Sequence, residues 1–172
     1  DHAGVSHELF YLSDAKAIVF MAQGNGCPVV KEALPEFKKI RDSYRAKGIE
    51  FLMINSNLDD NRTNIAAEAA QLNIDTPVLV DNTQIIGESL GLTRNGEVFV
   101  VDPKSWQVVY AGPMNSSSES GNKSSANKPY LADALDNVLA GEAVKVAQLE
   151  SAGCAINMPG NAKQNRVAHA EI

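Results

Sequence analysis

Ala17-Ile18-Val19-Phe20-Met21 is an unbroken apolar run between polar neighbours, the pattern of a strand buried on both faces of a sheet. It leads into Gln23-Gly24-Asn25-Gly26 and then Cys27-Pro28, after which apolar residues return at Val29, Val30, Ala33, Leu34, Phe37, Ile40 and Tyr44. Those spacings of three and four make the stripe of an amphipathic helix, with Pro28 suited to its first position and Gly48 to its stop. Ile49 to Asn55 predicts a second buried strand. Ser56 to Asp60 is a loop with capping residues, and Asn61 to Leu72 predicts an alanine-rich helix with Ile65, Ala69 and Leu72 inward. Thr76 to Val80 predicts a short strand, and Gln84 to Leu90 a short helix ended by Gly91.

Glu97 to Val101 and Gln107 to Ala111, joined through Asp102-Pro103-Lys104-Ser105, predict an antiparallel hairpin. Ser116 to Lys128 is polar, with no large apolar residue, and predicts a mobile surface loop. Pro129 to Leu139 predicts the last helix, turning Tyr130, Leu131, Ala134, Leu135 and Val138 inward, with Gly141 as its stop. At the start, a polar turn over Asp1 to Gly4 leads to a short edge strand at His7 to Tyr11. At the other end Val144 to Cys154 reads as extended. Parallel strand and helix units in front and a hairpin behind give an α/β fold, a central mixed sheet flanked by helices with a C-terminal hairpin and helix. It spans residues 1–157, followed by a polar tail or linker to a further module over 158–172.

Composition changes this picture mainly by exclusion. A chain of 172 residues, 44% hydrophobic and 21% charged, has enough apolar residues for one core. The net charge of −6, with no basic stripe, argues against nucleic acid as a partner. No apolar run approaches the roughly 20 residues that membrane insertion needs, and any leader is removed or lies outside these residues. His2, His7 and His169 sit near the ends and do not cluster, so no metal site is expected.

The chemistry then rests on Cys27. At or beside a helix N-terminus, unpaired N–H groups and the positive end of the helix dipole favour a thiolate, which is a nucleophile. The competing reading is a small apolar residue that simply packs well. Cys27 and Cys154 fit neither a disulfide scaffold nor a metal knuckle; they form one long-range bridge or remain separate thiols.

Several segments resemble one family in the right order. Asn25-Gly26-Cys27-Pro28-Val29-Val30 resembles the Asn-His-Cys-Pro-Val-Val segment of the peroxiredoxin-like branch of AhpC/TSA and TlpA-type redoxins, which have a thioredoxin-like fold. Met53-Ile54-Asn55-Ser56-Asn57, Leu79-Val80-Asp81-Asn82-Thr83-Gln84, Glu97-Val98-Phe99-Val100-Val101-Asp102 and Gly153-Cys154-Ala155-Ile156 resemble that branch's later motifs, as does Tyr130-Leu131-Ala132-Asp133-Ala134-Leu135.

The resemblance implies a thiol-dependent redox protein, peroxiredoxin-like or a thiol-disulfide oxidoreductase. Cys27 would attack a peroxide or a disulfide, with Cys154 or an external thiol reductant as resolver. Arg94 is a candidate cation near Cys27, and Gly26, Pro28, Asn95 and Gly96 are candidates for substrate binding. The departures are Val30 where thioredoxins carry a second cysteine, Gly24 at the place of the peroxidatic threonine, and Asn95-Gly96 at the place of Thr-cis-Pro. A non-proline cis bond costs about 2.5–4 kcal/mol, so Asn95-Gly96 is expected to be trans.

No cofactor is implied in this chain, which has no Cys-x-x-Cys-His. Some branch members continue into a c-type cytochrome segment, so a fused or partner cytochrome is an expectation. The implied location is periplasmic or otherwise extracytoplasmic, with the cytoplasm as alternative. A reading of another class is a catalytically faded fold that docks a fused or partner electron-transfer protein.

Overall fold

Backbone pairing in the computed structural model, which describes residues 1–121 and 127–159, joins five strands into one sheet in the order β3-β2-β1-β4-β5. The strands are β1 (Ala17–Ala22), β2 (Ile49–Asn55), β3 (Val78–Val80), β4 (Val98–Asp102) and β5 (Gln107–Gly112). β1, β2 and β3 run parallel; β4 is antiparallel to β1, and β5 to β4. Among the described residues the α-helices that accompany them are α1 (Pro28–Arg45), α2 (Arg62–Gln71), α3 (Ile85–Leu90) and α4 (Tyr130–Leu139). This is the mixed, helix-flanked sheet of the thioredoxin-like fold, with the hairpin and last helix where the sequence puts them.

Alternation along β1 divides the core. Ala17, Val19 and Met21 belong to one buried cluster with Phe37 of α1, Ile65 of α2 and Leu131 and Leu135 of α4. Ile18, Phe20 and Ala22 belong to a second, with Leu79, Leu92, Ile156 and Met158. Because both faces are covered, every β1 residue is buried, which explains its unbroken apolar run. Met158, the first residue of the expected tail, lies in this second cluster; the tail over 160–172 lies outside the described residues.

Two local expectations change. His7 to Tyr11 is no edge strand: Leu9–Leu12 forms a 3₁₀ turn, and the spacing of three puts Leu9 and Leu12 against the second cluster while Phe10 and Tyr11 stay exposed. The serine-rich segment begins with a built turn, a 3₁₀ helix at Ser116–Ser118 capped by the Asn115 side chain on the Ser117 N–H at 3.0 Å, with Ser116 buried. Part of that expected loop, 122–126, lies outside the described residues. No helix among the described residues is long and apolar enough to cross a membrane.

Candidate functional site

β1 ends at Ala22, and the chain must reverse within a few residues to lay α1 back on the sheet. Gly24 and Gly26 make that possible. A Cβ on Gly24 would lie 2.2 Å from the Asn95 side chain, and Gly26 takes φ +74°, a region that suits glycine. Cys27 follows as the N-cap of α1, in extended conformation, and Pro28 opens the helix. The Cys27 side chain makes no capping hydrogen bond to the helix, although the residue is only 4% exposed. Its sulfur is left for another partner.

That partner is Cys154. The segment after α4 returns along the sheet through isolated bridges of Gln148 to Ala111, Ser151 to Glu119 and Ala155 to Arg94. The Asn95 N–H donates to the Cys154 carbonyl at 2.9 Å, and the Ile156 N–H to the Thr93 carbonyl at 2.9 Å. Gln84 Nε2 donates to the Asn157 carbonyl at 2.8 Å, and Ile156 and Met158 anchor the end in the second core cluster. Burying two such side chains contributes on the order of 1.5–3 kcal/mol each.

Cys154, half-buried, then packs against the first cluster beside Cys27. Burial pushes the Cys154 thiol up to about 11, and its hydrogen bond to Cys27, together with that side chain's charge, pushes the same way. Both cysteines are free thiols.

A chain of buried amides supports the junction. Asn55 Nδ2 donates to Gln23 Oε1 and to Asp60 Oδ2, both at 2.8 Å, and the same Asp60 oxygen accepts the Asn25 N–H at 3.0 Å. Asn57 and Asn95 exchange amide hydrogen bonds, each 3.1 Å long. Asn95 thus touches both halves of the site, its side chain over Gly24 before Cys27 and its backbone on Cys154. The Asn95-Gly96 bond is trans, there being no cis peptide among the described residues. The Gly96 N–H donates to the Ala22 carbonyl at 2.8 Å, tying this loop to the end of β1.

Beside Cys27 lies a groove of about 390 Å³, lined by Gly26, Cys27, Pro28, Lys31, Glu68, Gln71 and Leu72. Gly26 and Pro28 therefore flank the groove, whereas Asn95 and Gly96 stand on the Cys154 side. Arg94 is also on that side, its Nη1 donating to the Gly153 carbonyl at 3.0 Å. Its guanidinium holds the backbone next to the second cysteine.

Glu68, on α2, was not singled out in the sequence, yet both its oxygens accept the Gly26 N–H, at 3.0 and 2.9 Å. No local signal marks it, because α2 is an exposed alanine-rich helix and Glu68 reaches Gly26 only in the folded chain. Asn57 had a legible hint in the resembling segment Met53 to Asn57. No group of three or more His, Cys, Asp or Glu side chains suited to a metal ion occurs among the described residues.

The comparisons bear on the fold and the family. A solved structure of a hypothetical protein from Sinorhizobium meliloti is 27% identical with a TM-score of 0.74, covering 91% of this chain and 87% of that one. An uncharacterized conserved protein from Geobacillus kaustophilus is 28% identical with a TM-score of 0.70, over 84% and 78%. Peroxidoxin BcpB from Mycobacterium tuberculosis, at 16% identity, shares the fold with a TM-score of 0.59 over 82% and 89%. No curated protein matches the sequence. A family model described as Redoxin matches residues 3–129, well over half the chain, so the protein belongs to the Redoxin family and its chemistry is thiol redox chemistry.

Proposed function

We propose that this protein is a two-cysteine thiol-disulfide oxidoreductase in which Cys27 is the nucleophile and Cys154 the resolving thiol. The observation that carries this reading is that the folded chain packs Cys154 against the same core cluster as Cys27, with its backbone fixed by the Asn95 N–H. That placement supplies within one chain the second thiol that the Cys27-x-x-Val30 motif lacks. The Cys27 thiolate attacks a substrate disulfide, forming a mixed disulfide and expelling one thiolate, which takes a proton from water. Cys154 then loses its proton and attacks the Cys27 sulfur, releasing the second substrate thiol. Two electrons pass from the cysteine pair to the substrate, and an external thiol reductant reverses the change.

Disulfides suit the site better than peroxides. Peroxide reduction needs donors aimed at the departing oxygen. Here Gly24 has no hydroxyl to offer, and the Arg94 guanidinium is engaged at Gly153.

The test is intact mass after mixing the reduced protein with hydroxyethyl disulfide. The wild type is expected to lose two hydrogens, and Cys154→Ser to retain a reagent adduct on Cys27. A wild type that ends with stable adducts on both cysteines and no internal disulfide would refute the assignment. Failure of Cys27 to react at all would favour the docking reading instead.

A further inference from the structure

The groove beside Cys27 has one charge of each sign on its walls. Lys31 comes from the first turn of α1 and Glu68 from the middle of α2, with Leu72 adding an apolar surface. No carboxylate among the described residues pairs with Lys31. Glu68 is fixed in advance, because the Gly26 N–H holds both its oxygens and leaves their outer lone pairs free. Above Gly26 the space is open, with no heavy atom within 4 Å of where a Cβ would stand. A cavity of about 390 Å³ is at the small-molecule end of the ligand-site range.

Resting on the proposed redox reading, we infer that the groove selects small disulfides and thiols with an amino-acid head, the carboxylate on Lys31 and the ammonium on Glu68. The sulfur of such a molecule, one methylene from the carbon bearing both charges, then lies over Cys27. Each turnover oxidises the two cysteines to the Cys27–Cys154 disulfide and reduces one amino-acid disulfide to two thiols. The protein's net charge of −6 works against reagents that carry only carboxylates, which is why a zwitterion and not a plain acid fits.

The reduced full-length chain is mixed separately with cystine, cystamine (ammonium only), dithiodipropionate (carboxylate only) and hydroxyethyl disulfide (uncharged). Formation of the internal disulfide is followed by mass. Each rate is divided by that of the same reagent with mercaptoethanol, which removes differences in leaving-group reactivity. Cystine is expected to lead cystamine and dithiodipropionate by about two- to fivefold, the worth of one partly exposed ion pair each, and hydroxyethyl disulfide, which makes neither, by more. Lys31→Met is expected to erase its lead over cystamine, and Glu68→Gln, which keeps an acceptor for Gly26, its lead over dithiodipropionate. Lys104→Met, in the β4–β5 turn, is expected to leave the ranking as it was.

Equal normalised rates, a lead for cystamine alone, or a ranking indifferent to both variants would overturn the inference while leaving the cysteine pair intact. If none of the four reagents produces the internal disulfide, the redox reading itself fails and this inference with it.

Discussion

Gly153→Ala tests how Cys154 is placed. A Cβ at Gly153 would stand 2.1 Å from the Asn95 carbonyl oxygen, whereas ordinary contact begins at 3.4 Å, so the segment must back away by about 1.3 Å. The crowding atom is backbone, held in turn by Gly96 on Ala22, and cannot swing aside as a side chain would. The next residue's carbonyl accepts the Asn95 N–H at 2.9 Å, and a shift of that size takes the bond beyond useful length.

Losing one such bond costs about 0.5–1.5 kcal/mol, and a misplacement of roughly 1 Å at reacting atoms can cost on the order of 10²-fold. The effective concentration of Cys154 at Cys27 is expected to fall by about 10- to 100-fold. The disulfide then becomes easier to reduce, and its potential less negative by roughly 30–60 mV at 29.6 mV per decade. The assay equilibrates wild type and variant in thiol-disulfide buffers of stepped ratio and reads the oxidised fraction by mass, with denaturant unfolding as a check that the variant folds. A folded variant with the wild-type potential would refute the placement of Cys154 by the Gly153–Asn95 crossing.

The other predictions concern the surroundings of the site. Cys27→Ser removes the partner whose hydrogen bond and charge add to burial in holding the Cys154 proton, so alkylation of Cys154 should begin at lower pH than in the wild type; peptide mapping after iodoacetamide over a pH series checks this. Asn57→Ala leaves the Asn95 amide and the Gln23 carbonyl short of partners and should cost about 1–3 kcal/mol in urea unfolding. Asp75 is held below the usual carboxylate range by its hydrogen bond to Arg41, which is buried and also bonds Thr76. Its stabilisation is present above the unfolded carboxylate value and is lost as pH falls through the lower folded one. Asp75→Asn should therefore lower the urea midpoint near neutrality and flatten its decline below about pH 4.

Much of the fold was legible because its signals are local. The apolar run of β1, the three-and-four spacing of α1 and the turn at Asp102 to Ser105 each act within one window of sequence, whereas the strand order came only from the pairing in the folded chain. Cys27 as a helix N-cap was equally legible, since Gly26, Cys27 and Pro28 carry the turn, the cap and the first helical position themselves.

Cys154 was named as a candidate resolving thiol only through the family resemblance, and what places it near Cys27 was not legible. Cys154 stands in a segment without a regular strand, and its position depends on Asn95, Thr93, Gln84 and the burial of Ile156 and Met158, all distant in sequence. Glu68 reached the groove in the same way. Sequence determined where a reactive thiol could stand, because backbone geometry and helix ends are set by neighbours along the chain. Only the tertiary structure decided what faces it, because hydrogen bonds and packing between remote segments exist only once the sheet has brought them together.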